Sequence, residues 1–198
     1  MKRKDFLKSF LVGLSLPFFA FGKSGQKKTC FTDADVEGPF FRKGAPKRLN
    51  LAEGYKEKGT ILYVQGHVFG KKCIEPVKNA TIDIWHASPK GQYDLNSDTF
   101  LFRGRLRTDD NGFYEYKTLL PKGYRDGGLD RPKHIHYKVR AEGYQELTTQ
   151  LYFAGDEKLK SDFFVIRNRG MKRAMTPTTN EKGELKVTFN LAIKPKNI

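Results

Sequence analysis

The 198-residue chain has little sulfur and little imidazole: two cysteines, three methionines and four histidines. Cys30 and Cys73 alone are no zinc signature. The chain also lacks GxGxxG, a P-loop, GxSxG and any internal repeat, so no nucleotide fold or repeat architecture is indicated. Beyond the first two dozen residues no stretch nears the run of about 18 apolar residues that a membrane helix requires. Acid is scarce relative to base. Thirty-seven Lys and Arg against 22 Asp and Glu give a formal net charge of +15 and a pI near 9.7. The basic residues are scattered, not gathered into one block or helical face, which describes a solvated surface better than a nucleic-acid footprint. An anionic small substrate would still profit from the field.

What is present begins with a leader. Lys2, Arg3 and Lys4 make a positive head, residues 10–21 are apolar, and Ala20-Phe21-Gly22 supplies small residues at a cleavage point. The expectation is an export signal over residues 1–22, a mature N-terminus near Lys23, and a periplasmic or secreted protein. The head "RKDFLK" resembles the twin-arginine signal with Lys4 in place of the second arginine, which leaves the route open. In an oxidising compartment Cys30 and Cys73 permit one disulfide, tying the N-terminal extension to the first hairpin; two unpaired thiols are the alternative.

Residues 23–50 read as an extension with irregular structure, and residues 51–198 as one domain. Strand signals follow one another at residues 61–69, 81–86, 113–120, 134–140, 148–153 and 185–193, with Asp109-Asp110-Asn111-Gly112 as a strong turn. The last run alternates most cleanly, Leu185, Val187, Phe189, Leu191 and Ile193 facing one way and Lys186, Thr188 and Asn190 the other. Helix is confined to a turn or two over residues 157–163. The pattern predicts an all-β protein, a two-sheet β-sandwich with long loops.

Two of the four histidines stand two apart in "RPKHIHYKV". In a strand, residues i and i+2 share a face roughly 6 to 7 Å apart. His134 and His136 therefore project together with Lys138, while Ile135, Tyr137 and Val139 form the opposite, apolar face. Two imidazoles leaning toward one point make half of a metal site. Spacing does not name the other ligands; thiolates are disfavoured, and Asp, Glu or Tyr oxygens remain. A structural or surface histidine pair is the competing reading.

The surrounding stretches decide more. "VEGPFF", "VQGHVF", "ATIDIWHASPKGQYD", "FRGRLRTDDNGFYEYKTLLPKGY", "RPKHIHYKV" and "LTTQLYFAGD", in this order and with comparable gaps, resemble the intradiol ring-cleavage dioxygenases, the family of catechol and protocatechuate dioxygenases. The resemblance implies one non-haem Fe(3+) per chain, held by Tyr93, Tyr124, His134 and His136. It implies a catecholic substrate and O2 as partners, with ring opening between the two hydroxylated carbons to a muconate-type diacid. Tyr93 would stay bound while Tyr124 takes a substrate proton and leaves the metal. Arg131 would stabilise developing negative charge, and Gln150 would help orient substrate. Two tyrosinates and one hydroxide would neutralise a ferric ion, a hard cation that prefers anionic oxygen.

Within the family, the catechol-specific branch carries a large helical N-terminal segment for which this chain has no room. The expectation is a compact single-domain type, with a homo-oligomer open, no nucleic-acid partner and no membrane span. A transthyretin-like binding module with incidental histidines, and a ferrous extradiol enzyme with a 2-His-1-carboxylate triad, are the alternatives from other classes. Among the remaining residues, His67 and His86 read as hydrogen-bonded strand histidines and Trp85 as core. Lys138 is expected to reach solvent. Arg103 and Arg105 either pair with acids or line the pocket mouth.

Overall fold

The computed structural model describes residues 30–196; the leader predicted over residues 1–22 lies outside them. In chain order the strands are β1 (Ile61–Phe69), β2 (Thr81–His86), β3 (Arg103–Arg107), β4 (Phe113–Leu119), β5 (Tyr124–Asp126), β6 (Leu129–Arg131), β7 (His134–Arg140), β8 (Leu147–Phe153), β9 (Ala174–Met175), β10 (Thr178–Thr179), β11 (Leu185–Thr188) and β12 (Leu191–Ala192). One short helix, α1 (Phe163–Arg167), stands between 3₁₀ turns at Glu157–Lys160 and Gly170–Arg173. The helical region thus runs beyond the expected residues 157–163, because Asp162 caps a second start by accepting from the Val165 amide.

Two sheets face each other, as the alternation predicts. The first centres on β1, with β4 antiparallel on one side and β11 and β12 parallel on the other. The second runs β3-β2-β7-β8-β9. Leu62, Val64 and Val68 of β1 meet Ile82, Ile84, Ile135, Tyr137, Val139 and Leu151 between the layers, all within one cluster. A fully buried aliphatic side chain contributes about 1.5–3 kcal/mol, so this inner layer carries most of the apolar stabilisation.

The C-terminal alternation predicts one strand over residues 185–193, and the structure divides it into β11 and β12. The register does not slip: Gln65 pairs Thr188 and Val68 pairs Leu191. At Gly66 the Phe189 carbonyl comes so close that a Cβ would lie 2.0 Å from its oxygen. That oxygen accepts from the Tyr114 hydroxyl, while Asn190 Oδ1 accepts from the His67 amide at 2.9 Å. Side-chain bonds supplement the remaining backbone bond from Phe189 N to Gln65 O at 2.8 Å, and the buried-exposed alternation survives through Leu191.

Cys30 and Cys73 form a disulfide, which ties the described N-terminus to the 3₁₀ turn after β1. The chain then crosses the outer face of the second sheet. Asp35 N donates to Thr148 O, Thr149 Oγ1 donates to Asp33 O, and the Asp35 carboxylate receives Arg173, Tyr152 and Asn168. This strap makes the outer face of the sheet an interior.

Candidate metal centre

Because β2, β3, β7 and β8 are in register, their outward residues form rows. Trp85 lies opposite both Arg103 and His136, and His136 lies opposite Gln150. His134, one step along β7, lies opposite Tyr152. Both histidines are 2% exposed or less, although they point away from the core. The strap and two loops cover them.

The two tyrosines arrive from those loops. Ser88 Oγ accepts from the amides of Lys90 and Gln92, and the Asp94 carboxylate accepts from Ser97 and from the Leu101 amide, so both sides of Tyr93 are pinned. Tyr124 opens β5 opposite Arg131 of β6. The loops meet at Gly91 and Gly123. A Cβ on Gly91 (φ +82°) would lie 2.9 Å from Gly123 O, and one on Gly123 2.5 Å from Arg131 O. Backbones can approach this closely only without side chains.

The result is a convergence of lone-pair atoms. Tyr93 Oη lies 3.1 Å from His136 Nε2 and 3.4 Å from His134 Nε2, and the two Nε2 atoms are 3.2 Å apart. Tyr124 presents its ring edge-on to Tyr93, centroids 5.4 Å apart, and lies 5.6 Å from His134. The His134 tautomer follows from its neighbour. Nδ1 sits 2.7 Å from Pro132 O, a pure acceptor, so Nδ1 carries the hydrogen and Nε2 offers a bare lone pair to the cluster. His136 stacks on Trp85 at 4.7 Å and 7°, which fixes its ring plane, and its Nδ1 finds no partner among the described residues.

Electrostatics keep these groups neutral in the absence of a cation. Burial, reinforced by the Arg131 charge, lowers His134 to about 3. Burial and the neighbouring His134 push His136 well below the ordinary histidine value. Burial raises both phenols, Tyr93 well above its usual range, and the arginines oppose this without overcoming it. Ionising Tyr93 therefore calls for a strong positive charge at its oxygen.

The donor set suits a hard trivalent ion: two imidazole nitrogens and two phenols, with no thiol. Among the described residues there is no group of three or more His, Cys, Asp or Glu able to hold a metal. Among the described residues a closed zinc site or a 2-His-1-carboxylate triad finds no ligand set, and Tyr93 brings its oxygen to both histidines with Tyr124 beside it.

Arg131 and Gln150 also come to this place. Arg131 Nε donates to Asp162 at 2.7 Å, its Nη2 donates to Gln150 Oε1 at 3.0 Å, and its guanidinium lies over Phe164. Gln150 is fully buried, its Nε2 donating to Val36 O and its Oε1 2.9 Å from the Tyr152 hydroxyl, whose one hydrogen it shares with Asp35. Its Oε1 thus accepts from Arg131 and supports the guanidinium. Asp162 was not legible as a partner; its only sequence signal is an acid before the apolar run "FFVIR", an N-cap pattern.

His86 is buried, Nδ1 on Ala87 O and Nε2 on Thr118 Oγ1 at 2.8 Å each, as a satisfied structural histidine should be. Trp85 is 1% exposed, but it packs against Phe41 and His136 on the site face. Lys138 corrects an expectation. It does not reach solvent: its ammonium pairs with Glu37 and lies 4.1 Å from the Phe41 ring, because the strap closes over this end of β7. Arg105 pairs with Asp83 at 2.7 Å, while Arg103 turns inward toward Tyr93.

A family model described as Dioxygenase matches residues 36–195. The catechol 1,2-dioxygenase of Acinetobacter baylyi is 35% identical over 71% of this chain and 52% of its own length. The chlorocatechol 1,2-dioxygenase of Cupriavidus pinatubonensis is 32% identical over 81% of this chain and 68% of its own. The chain thus spans about half the length of the first of these relatives. Among solved structures, the dioxygenase domain of a dioxygenase–carbohydrate-binding fusion from a cellulolytic Streptomyces superposes with a TM-score of 0.72 at 32% identity, covering 83% of this chain and 99% of that one. The Rhodococcus opacus 3-chlorocatechol 1,2-dioxygenase gives a TM-score of 0.76 at 26% identity, covering 83% of this chain and 72% of that one.

Proposed function

The chain belongs to the intradiol ring-cleavage dioxygenase family, and on that premise we propose that it cleaves a catechol-type diol with O2 between its hydroxylated carbons, using one ferric ion held by Tyr93, Tyr124, His134 and His136. Both oxygen atoms enter the product, so catechol and O2 together account for the muconate-type diacid and no reductant is needed. The observation that carries this reading is the approach of Tyr93 Oη and two histidine Nε2 atoms to within 3.4 Å of one another, with Tyr124 alongside.

Ferric iron would supply the positive charge that ionises the phenols and draws electron density from a bound diol. The chain's own residues do the rest. His134 and His136 hold lone pairs inward on a rigid strand. Tyr124, whose phenol burial raises less than that of Tyr93, is the one able to accept a substrate proton at Oη. Arg131, buried and paired with Tyr124 across β5 and β6, stabilises negative charge on the substrate, and Asp162 and Gln150 keep its guanidinium in place. Strap and loops exclude water, which strengthens each of these interactions.

Reconstitution tests the reading. The ferric protein should be burgundy, its colour should change on adding catechol, and oxygen uptake should accompany formation of a diacid. A protein that stays colourless after ferric loading would refute it. Export belongs to the same proposal, supported by the Cys30–Cys73 disulfide, since such bonds persist in oxidising compartments. Protein from its native host should begin near residue 23 by mass spectrometry; an intact Met1 would contradict export.

A further inference from the structure

Three arginines are buried among the described residues: Arg103, Arg131 and Arg173. Two of them bond a buried carboxylate, Arg131 to Asp162 and Arg173 to Asp35. Arg103, only 1% exposed, bonds none. Its Nε and Nη2 donate to Asp94 O at 3.1 and 2.7 Å, and its Nη1 donates to Phe40 O at 2.6 Å. The Asp94 carboxylate itself is engaged by Ser97, by the Leu101 amide and by Arg42 at 3.5 Å. Arg42 and Asp94 cancel, so one positive charge stays uncompensated inside the protein.

Two backbone carbonyls do not require a cation. A glutamine could donate to either at far smaller desolvation cost, since a buried charge is tolerated only when something answers it. The two carbonyls are informative. Phe40 stacks on the Tyr93 ring at 4.2 Å and 20°, and Asp94 follows Tyr93 in the chain. Arg103 therefore holds both walls of Tyr93, its guanidinium carbon 6.0 Å from that ring's centroid. Arg131 acts on both phenols and so does not separate them, and its charge is already answered by Asp162.

Resting on the reading above, we propose that Arg103 is the positioning residue of Tyr93: a clamp on both its flanks and the counter-cation of its phenolate, which keeps Tyr93 on the metal while Tyr124 is the phenol free to leave. The unpaired charge has its anion once Tyr93 is ionised. Arginine suits the role because its planar fork can grip one carbonyl twice and still reach a second.

The test is the visible charge-transfer band of the ferric protein, which reports the electron richness of the bound phenolate. Arg103→Gln removes the cation, so the band should move to longer wavelength. Arg103→Lys restores a charge without the fork and should return most of that shift. The Arg103→Gln shift should persist in a Tyr124→Phe background and vanish in Tyr93→Phe. A band that does not move, or that moves equally in both backgrounds, overturns the proposal. A comparison with Arg103 untouched covers failure of the glutamine variant to fold: the band remaining in Tyr124→Phe should lie at shorter wavelength than that in Tyr93→Phe, and the reverse order overturns the proposal. Colourless ferric-loaded wild type would sink the dioxygenase reading itself; coloured wild type with an insensitive band would sink only the role of Arg103.

Discussion

Besides Tyr152, whose hydroxyl meets Asp35 and Gln150, two groups of tyrosines are enclosed among the described residues, and only one of them brings a hydroxyl to imidazole nitrogen. Tyr114, Tyr116 and Tyr137 lie between the sheets, each 3% exposed or less. Tyr93 and Tyr124 lie on the far side of the second sheet, beneath loops. Burial raises the pKa of every one of them. Enclosure therefore does not separate a structural phenol from a functional one; partners do. In the core group Tyr114 donates to Phe189 O and Tyr116 bonds Tyr137, so the hydroxyls are satisfied among themselves and the backbone. In the other group Tyr93 Oη meets two imidazole nitrogens, with Arg103 and Arg131 nearby. One arrangement is complete as it stands; the other sets a phenol and two imidazole nitrogens facing one another, where the proposed ferric ion would sit.

Substitutions at the two groups should divide sharply. His136→Ala should lose iron and colour, Tyr93→Phe should keep only the longer-wavelength band of Tyr124, and each should reduce oxygen uptake by at least about 10³-fold, the scale on which residues acting as a unit fail together. Tyr137→Phe should keep colour and turnover and lose about 1–2 kcal/mol of stability in a denaturant melt, the usual consequence of removing a buried hydrogen-bond partner. A colourless Tyr137→Phe that remains folded would erase the distinction.

Next in size come the arginine and its support. Arg131→Gln should retain iron and colour but lower kcat by about 10²–10³-fold, as expected when a donor to developing negative charge is removed. Asp162→Asn, which leaves Arg131 in place but loosely held, should cost about 10- to 100-fold. An Asp162→Asn loss that persists undiminished on an Arg131→Gln background in steady-state assays would mean that Asp162 acts through folding and not through Arg131.

Acid should weaken the metal-free protein through groups such as His86. Burial holds His86 at about 4 in the folded chain, against 6.5 when it is unfolded. Between those values the unfolded state binds a proton that the folded state refuses. Stability should fall as the pH drops from 6.5 toward 4, by at most about 1.4 kcal/mol per pH unit for this group, with no contribution above 6.5. His86→Gln should flatten the slope in melts across that range. The smallest effect belongs to Lys138, which shares the histidine face without touching the cluster. Lys138→Gln should change stability by less than about 1 kcal/mol and leave the visible spectrum unmoved.

Much of the frame was legible because strand periodicity is local. The two-residue alternation in "HIHYKV" assigns His134 and His136 to one face and Ile135, Tyr137 and Val139 to the core, and the structure places them so. The same rule put Lys138 on the histidine face, as the structure does, but its expected exposure failed, since alternation says which face a residue shares and not whether a distant segment will cover that face. It also ran one strand through Phe189 and Asn190, where Gly66 of a different strand lets a carbonyl turn aside. Tyr93 and Tyr124 have no local signature at all. Only the resemblance singled them out, because nothing in "GQYD" or "PKGY" marks a phenol that will be enclosed.

By itself, then, the amino-acid order determined a sandwich of short strands, the pairing of two imidazoles on one edge, and the cysteine pair available for bonding. Those are properties of neighbouring residues and their backbone geometry. Only the folded chain decided that the Gly91 and Gly123 loops would touch and bring two phenols to that edge, that a strap anchored on Asp35 would seal it, and that Arg103 would be left inside without an acid. Each of these joins segments far apart in the chain, and their meeting is governed by packing between layers, which no local pattern encodes.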